Sequence, residues 1–295
     1  MSAIGQTTLP VVTSDICALP LVRRLAAMLD RDPDTLVDGD LLPRGWHPLL
    51  FNAPTRQSQL REDGAAALGV TLPDLGLPRL MLGGRRILFD GHIPIGARVH
   101  RETRRLGVVE KHGRSGRFAI VNVEHRIFVT DGDGAPVVVE AQDYILRGVE
   151  PASASGQVDG AAGVSAERID AERVDAERVD AERTLVPDAP LLFRYSSITD
   201  NPHRIHYDLP YAQQREGYPA LVVNGSIPAL FLIELFRGVA RREPSSLTTR
   251  NVTPMYAGRA LRLCIRRDET VTATDAWRLW AVNDEGRTTF EASVT

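Results

Sequence analysis

An α+β fold made largely of antiparallel strands, and present in two copies, is the class this sequence predicts. Three observations lead there. Residues 85 to 147 and 248 to 295 are strand-rich, and their segments are separated by glycine-bearing turns such as Asp131-Gly-Asp-Gly and Asn283-Asp-Glu-Gly, as in a meander of hairpins. A long apolar helix opens near Ser226. The two strand regions also share a plan: Ile87-Leu-Phe-Asp-Gly-His-Ile-Pro-Ile-Gly-Ala-Arg-Val and Val252-Thr-Pro-Met-Tyr-Ala-Gly-Arg-Ala-Leu each give an apolar strand, a proline, an apolar-x-Gly step and a further strand. Self-similarity at half-chain scale points to duplication.

Each element has its own local signal. Leu21, Val22, Leu25, Met28 and Leu29 recur at helical spacing and predict an amphipathic helix from near Pro20. Residues 40 to 84 are punctuated by Gly and Pro. Strands are expected around Arg85 to Phe89, Ala97 to Val99, Arg104 to Lys111, Gly116 to Thr130 and Pro136 to Arg147. Residues 151 to 187 turn Ala/Ser/Gly-rich and then repeat Ala-Glu-Arg-Val-Asp. A five-residue period advances about 500° around a helix, so its lone apolar residue never forms a stripe, and a linker is expected. The boundaries are therefore 1–150 for one unit, 151–187 for the linker and 188–295 for the second unit. From Ala220 to Arg241, apolar residues at 227, 230, 231, 232, 233, 235, 236 and 239 surround most of a helical cylinder. Such a helix is buried on nearly every side. Ser226 is its expected N-cap, and Pro228 suits a first turn.

Composition sets bounds on function. The chain has 295 residues, of which 43% are hydrophobic and 25% charged, which describes an ordinary globular protein. A net charge of −3 gives no reason to expect nucleic acid or an anionic membrane as partner. Cys17 and Cys264 stand alone and far apart, which fits a reducing, cytoplasmic compartment better than a disulfide framework. No signal peptide is evident at the N-terminus, and no apolar run is long enough for a membrane span.

The chemistry concentrates in residues 193 to 226. Two histidines, an Asp, an Asn and a Thr fall within Thr199 to His206, in a segment that Asp200-Asn201-Pro202 marks as a loop. Shortly after it, Asn224-Gly225 opens the apolar helix. Gly225 lets a carbonyl approach backbone N–H groups at a helix start, while His206 offers a base or acid. That pairing suits proton transfer beside a carbonyl. His203 and His206 lack a third ligand at a familiar spacing, so no metal or other cofactor is expected.

The run Thr199-Asp-Asn-Pro-His-Arg-Ile-His-Tyr-Asp208, with Tyr211-Ala212 and Glu216-Gly-Tyr-Pro219, resembles the MaoC-like hydratase family. The likeness is strongest to its mesaconyl-CoA hydratase and type 2 hydroxyacyl-thioester dehydratase branch. It extends to Trp46-His47-Pro48 and Pro78-Arg79. The resemblance implies a double hot-dog, two antiparallel sheets each wrapping a central helix, with a non-catalytic first unit; on sequence grounds His47 and Arg79 are expected to shape a wall rather than do chemistry. It also implies a hydratase or dehydratase acting at the α,β bond of an acyl-CoA or acyl carrier protein thioester. His206 would then be the catalytic histidine, and Gly225, beside Asn224, would bind the thioester oxygen. Tyr195, Thr199, His203 and Arg204 are expected to line the pocket. Two positions depart from the family pattern. Where the family places an aspartate five residues before the histidine, this chain has Asn201, with Asp200 one step away; where the branch has His-Gly, this chain has Asn224-Gly225. Either Asn201 positions a reactant for His206, or Asp200 takes the acidic role. Addition of an amine instead of water, a thioesterase and a non-catalytic binding subunit are the alternative readings. Arg79, Arg194 and Arg204 would meet a second substrate carboxylate or, as the expected use, form structural ion pairs. The assembly is read as a monomer or a homodimer.

Overall fold

A computed structural model describes residues 3–4, 9–52, 55–65, 70, 72, 74–77, 79–113, 116–148, 178–270 and 275–295. The Ala-Glu-Arg repeats up to residue 177, and the tip of the turn after Gly113, lie outside the described residues.

The duplication is visible in the order of elements. The first unit runs β2 (Val11–Ile16), α1 (Leu19–Met28), β3 (Arg79–Leu88), β4 (Arg98–Gly113), β5 (Gly116–Val129) and β6 (Val138–Arg147), preceded by a two-residue β1 (Ala3–Ile4). The second runs β7 (Ala181–Leu185), α2 (Ala189–Ile198), α3 (Leu209–Gln214), α4 (Ile227–Ala240), β8 (Ser246–Asn251), β9 (Leu261–Arg267), β10 (Trp277–Asn283) and β11 (Thr288–Val294). Role by role, β2 matches β7, β3 matches β8, and β4, β5 and β6 match β9, β10 and β11. The loop after β3 carries an isolated bridge at Pro94 and a left-handed Gly96; the loop after β8 carries one at Tyr256 and a left-handed Gly258. Both loops thus set a bridge two residues before a left-handed glycine, the shared glycine step of the sequence, while Pro94 and Pro254 fall at different positions.

All strands pair antiparallel, in the order β1-β4-β5-β6-β3-β8-β11-β10-β9-β7, with β2 also on β4. The second unit therefore mirrors the first across the β3·β8 seam, where Ile87 faces Leu247 and Gly84 faces Arg250. Two sheets were expected, and they join at this seam into one. Glycine is required there: a Cβ on Gly84 would lie 2.4 Å from the Thr249 carbonyl oxygen.

Three details differ from the sequence reading. The two short strands expected between Ala97 and Lys111 form one long β4, with a register irregularity between Arg105 and Gly107 that leaves Leu106 exposed. Strand β7 lies inside the stretch read as a linker, because its backbone pairs with β9. Finally, α4 is the long central helix of the second unit, whereas the described residues between α1 and β3 hold only single 3-10 turns at Pro33–Thr35, His47–Leu49 and Gln57–Gln59. Pro43, Gly45 with φ 91°, and Pro48 interrupt helix formation there, and Trp46, Leu49 and Leu50 fill the core instead.

The helix α4 is buried through Ile227, Leu230, Phe231, Leu232, Ile233 and Phe236, and it packs on β7, β9 and β10. Its core is continuous with Val22, Leu25 and Met28 of α1 and with Ile87, Val99, Ile127 and Val138 of the first sheet. Trp46 ties the units by donating its indole N–H to Glu234 of α4 at 2.8 Å. Cys17 and Cys264 are both buried free thiols, and no helix among the described residues is long and apolar enough to cross a membrane. The seam makes a prediction. Gly84→Ala should destabilise the chain by about 1 to 3 kcal/mol, as overpacking does; an unchanged urea midpoint would show that the seam does not hold the two sheets at this spacing.

Candidate active site

A cleft of about 1390 Å³ runs between the units. His206, Asn201, Asp200, Asn224, Gly225, Tyr195, Thr199 and His203 all line it, so eight of the residues singled out from sequence converge on one cavity. Arg204 does not line it. Its guanidinium pairs instead with Asp208 one helical turn on, at 2.7 Å, and lies over the Tyr211 ring. The pocket role expected of Arg204 is therefore corrected to a structural one, in keeping with the ion-pair reading.

His206 sits on a 3-10 turn, Arg204–His206, and is buried. Its Nδ1 lies 2.7 Å from the Val222 carbonyl oxygen. A carbonyl only accepts, so Nδ1 carries the proton and Nε2 carries the lone pair. Burial pushes the imidazole down to about 4, against the opposing pull of the Val222 bond and with help from neighbouring His203. The ring is therefore neutral near pH 7. His203 stands edge-on to it, 5.5 Å between centroids, and burial also lowers the His203 pKa.

Asp200 and Asn201 both line the cleft but differ in their surroundings. Asp200 adopts φ 43° and is exposed, whereas the Asn201 side chain is held on both sides. Its Oδ1 accepts the His203 N–H at 3.1 Å, and its Nδ2 donates to Asn224 Oδ1 at 3.0 Å. Asn224 in turn donates to Ser196 Oγ at 3.3 Å. The two departures from the family pattern, at 201 and 224, are thus direct partners: an amide at one position matches an amide at the other.

Gly225 precedes α4. A Cβ there would meet the Asn251 side-chain amide at 2.8 Å, so a larger residue would have to displace that side chain. Its N–H has no acceptor among the described residues. Ser226 occupies the N-cap position, but its hydroxyl caps no helix N–H; the buried Tyr195 lines the same cleft. Thr199 closes α2 by donating to the Tyr195 carbonyl at 2.9 Å. The first unit supports this loop, since Arg204 N–H donates to the Asp63 carbonyl at 2.8 Å. Arg79 lines the cleft but pairs with Glu216 at 3.2 Å. Arg194 is exposed, away from the cleft. His47 is not wall; it lies behind the cleft, 2.9 Å from Glu140. Among the described residues no three His, Cys, Asp or Glu side chains are grouped as a metal ion would need.

Sequence reasoning missed the first unit's contribution. Arg85, Arg101, His125, Gln142 and Tyr144 also line the cleft. The signal was strand alternation: Arg101 and Thr103 share a face with Val99, His125 with Ile127, and Glu140 and Gln142 with Val138, so all point inward. Burial pushes His125 down to about 4, while Arg85 and His47 hold the Glu140 carboxyl well below the usual range despite its burial. Unfolded histidines take up protons near pH 6.5, whereas His206 and His125 in the folded chain do so only near 4. Stability should therefore fall as pH drops from 6.5 to 4, by about 1 to 3 kcal/mol per histidine. Urea unfolding at pH 7 and pH 4.5 measures this, and His206→Gln should shrink the drop; equal stability at the two values would contradict the buried neutral rings.

Comparisons with known proteins bear on the fold and the family. The model of the family described as hydroxyacyl-thioester dehydratase type 2 matches residues 45–257. The chain is 35% identical to the mesaconyl-C(4)-CoA hydratase of Chloroflexus aurantiacus, over all of this chain and 96% of that one. It is 33% identical, over 27% of each chain, to the mitochondrial hydroxyacyl-thioester dehydratase type 2 of Schizosaccharomyces pombe. Among solved structures, a MaoC-like dehydratase from Phytophthora capsici superposes with a TM-score of 0.68 at 11% identity, covering 98% of this chain and 95% of that one. A double-hotdog protein from Mycobacterium tuberculosis superposes with a TM-score of 0.58 at 14% identity, covering 98% and 94%. The fold is thus the double hot-dog that the sequence predicted, and the chain belongs to the type 2 hydroxyacyl-thioester dehydratase family.

Proposed function

We propose that the cleft hydrates the α,β double bond of an enoyl thioester, or dehydrates the corresponding 3-hydroxyacyl thioester. The observation that carries this reading is the buried, neutral His206, whose Nδ1 is committed to Val222 and whose Nε2 is left as a base. In the hydration direction, Nε2 removes a proton from water as its oxygen bonds to the β-carbon. The electron pair of the double bond moves toward the thioester oxygen, where the Gly225 N–H stabilises the developing charge. The same imidazole then returns the proton to the α-carbon, because an amide at position 201 can hold water but cannot accept its proton. Asn201, fixed between His203 N–H and Asn224, orients that water.

The identity to a mesaconyl-C(4)-CoA hydratase along the whole chain supports a CoA thioester as substrate. Loss of conjugated enoyl-thioester absorbance measures addition of water, and release of free thiol measures thioester cleavage. His206→Ala should lower kcat by about 100- to 10,000-fold with the fold retained. Asn201→Ala should fall by about 10- to 100-fold, in line with loss of a positioning group, while Asp200→Asn should stay near wild type. With the neutral ring as base, kcat/KM should hold from pH 7 down to 5 and fall only near 4. Wild-type turnover in His206→Ala would remove the imidazole from the reaction. Thiol release without loss of the double bond would replace the hydratase reading by a thioesterase.

A further inference from the structure

The loop that carries His206 belongs to the second unit, yet a turn of the first unit holds it at the cleft. Residues 61–65 form that turn and close on themselves. Gly64 donates its N–H to the Arg61 carbonyl at 2.9 Å, and Arg61 donates to the Ala65 carbonyl at 3.1 Å. The Asp63 carboxylate accepts the Ala65 N–H at 2.9 Å and Arg61 Nε at 3.2 Å. An aspartate that bonds nearby backbone in this way defines a turn without a helix or strand around it. Arg61, Glu62, Asp63 and Ala65 line the cleft alongside Pro202 and His203.

Bonds run from this turn directly to the catalytic segment. The Asp63 carbonyl accepts the Arg204 N–H at 2.8 Å, and the Glu62 carbonyl accepts the Arg204 guanidinium at 3.4 Å. The Glu62 carboxylate accepts from Arg215 at 3.1 Å, beyond the end of α3. Gly64 makes the closest approach. Its φ is 83°, and a Cβ there would lie 2.2 Å from the Pro202 carbonyl oxygen and 3.2 Å from Arg204 Cγ. Backbone meets backbone at Pro202, so no flexible side chain is present there to give way. The Pro202 carbonyl is itself tethered, accepting the Tyr207 hydroxyl at 3.0 Å. His206 follows within one 3-10 turn, its N–H donated to the His203 carbonyl at 3.2 Å. Any displacement of Pro202 therefore passes to the His206 ring.

We infer that Gly64 is a positioning residue for the reaction: the turn at residues 61–65 sets where the catalytic loop sits, and so where His206 stands relative to Gly225. The role rests on reading the cleft as a hydratase site. A displacement of about 1 Å at a reacting group costs on the order of 100-fold in rate, and a Cβ at 2.2 Å demands a shift of that size from one side or the other. A glycine kept only for its left-handed φ would make a different demand. Asparagine also adopts that φ, but it carries the Cβ that the Pro202 carbonyl excludes. The charges around the ring set what a shift does to its titration. His206 faces His203, and His203 in turn faces Asp63, Glu216 and Arg61. Burial dominates for both histidines, so a loop pushed away from the turn lets water in and raises the His206 pKa.

Gly64→Ala and Gly64→Asn, made in the full chain, test the role. Each should lower kcat about 10- to 100-fold while KM stays within about three-fold. The His206 pKa, read by NMR titration of its ring C–H, should rise from about 4 toward the ordinary 6.5. The acid limb of kcat/KM should move up with it. A purely structural role would lower the urea midpoint and leave the titration and the acid limb in place, and that result would overturn the proposal. Near-wild-type kinetics in Gly64→Asn would overturn it too, since the glycine would then serve the turn alone. Asp63→Ala loosens the turn without adding a Cβ at residue 64. It should move the His206 titration the same way by a smaller step, which keeps the test open if the glycine variants do not fold; an unmoved titration there counts against the proposal. Should the titration shift while the wild-type protein hydrates no enoyl thioester, the hold on the loop stands and the hydratase reading falls. Hydration by the wild type with no shift in any variant has the opposite meaning.

Discussion

The hydrogen bond from His206 Nδ1–H to the Val222 carbonyl is the contact on which the rest of the cleft depends. It fixes the tautomer, so the lone pair sits on Nε2. It partly offsets the cost of burying the ring, although burial still dominates the titration. The carbonyl is itself held. Val222 donates its N–H back to Ile205 at 2.9 Å and bridges to Tyr256, while Val223 donates to Met255 at 2.8 Å. The histidine is therefore oriented by the proline and glycine loop between β8 and β9, which has a counterpart in the first unit between β3 and β4.

Duplication has let the two units diverge without loss of the scaffold. The second unit keeps the long helix, the acid-base loop and the glycine at the helix start. The first gives up a long helix at the corresponding place, fills the core with Trp46, Leu49 and Leu50, and turns part of its concave face polar. Burying Glu140, Arg85 and His47 together is costly unless each group is paired, and such networks seldom add net stability. Here Glu140 itself has three partners, while His47 Nδ1, Arg85 Nε and Arg101 Nε are buried without a hydrogen bond. A buried polar face that contributes little to stability is readily understood as part of a binding site.

The amide pair at 201 and 224 shows how the catalytic loop tolerates its departures. A carboxylate at 201 would face the Asn224 side chain and alter the charge beside a neutral imidazole, whereas two amides satisfy each other and pass the network on to Ser196. In the proposed reaction the acid-base work then rests on one ring. Asp200, adjacent in sequence, has no part in this network, because a left-handed backbone at that residue leaves its side chain exposed.

The sequence by itself determined the elements whose signals are local. Glycine turns and alternating Val, Ile and Phe placed the strands, continuous apolar residues from Ile227 to Phe236 placed the buried helix, and the cluster from Thr199 to His206 marked a loop that lines the cleft. Only the tertiary structure decided between neighbours with similar side chains. Asn201 and Asp200 both line the cleft, but only Asn201 is held by its neighbours while Asp200 is exposed; Arg204 closes on Asp208, while Arg101, never singled out in the sequence, lines the cavity. The fusion of the sheets at Gly84 and Thr249 was equally hidden. The physical reason is the same in each case: side-chain direction and charge pairing are set by backbone dihedrals and by strands that meet from distant parts of the chain, and neither leaves a periodic trace in the residues themselves.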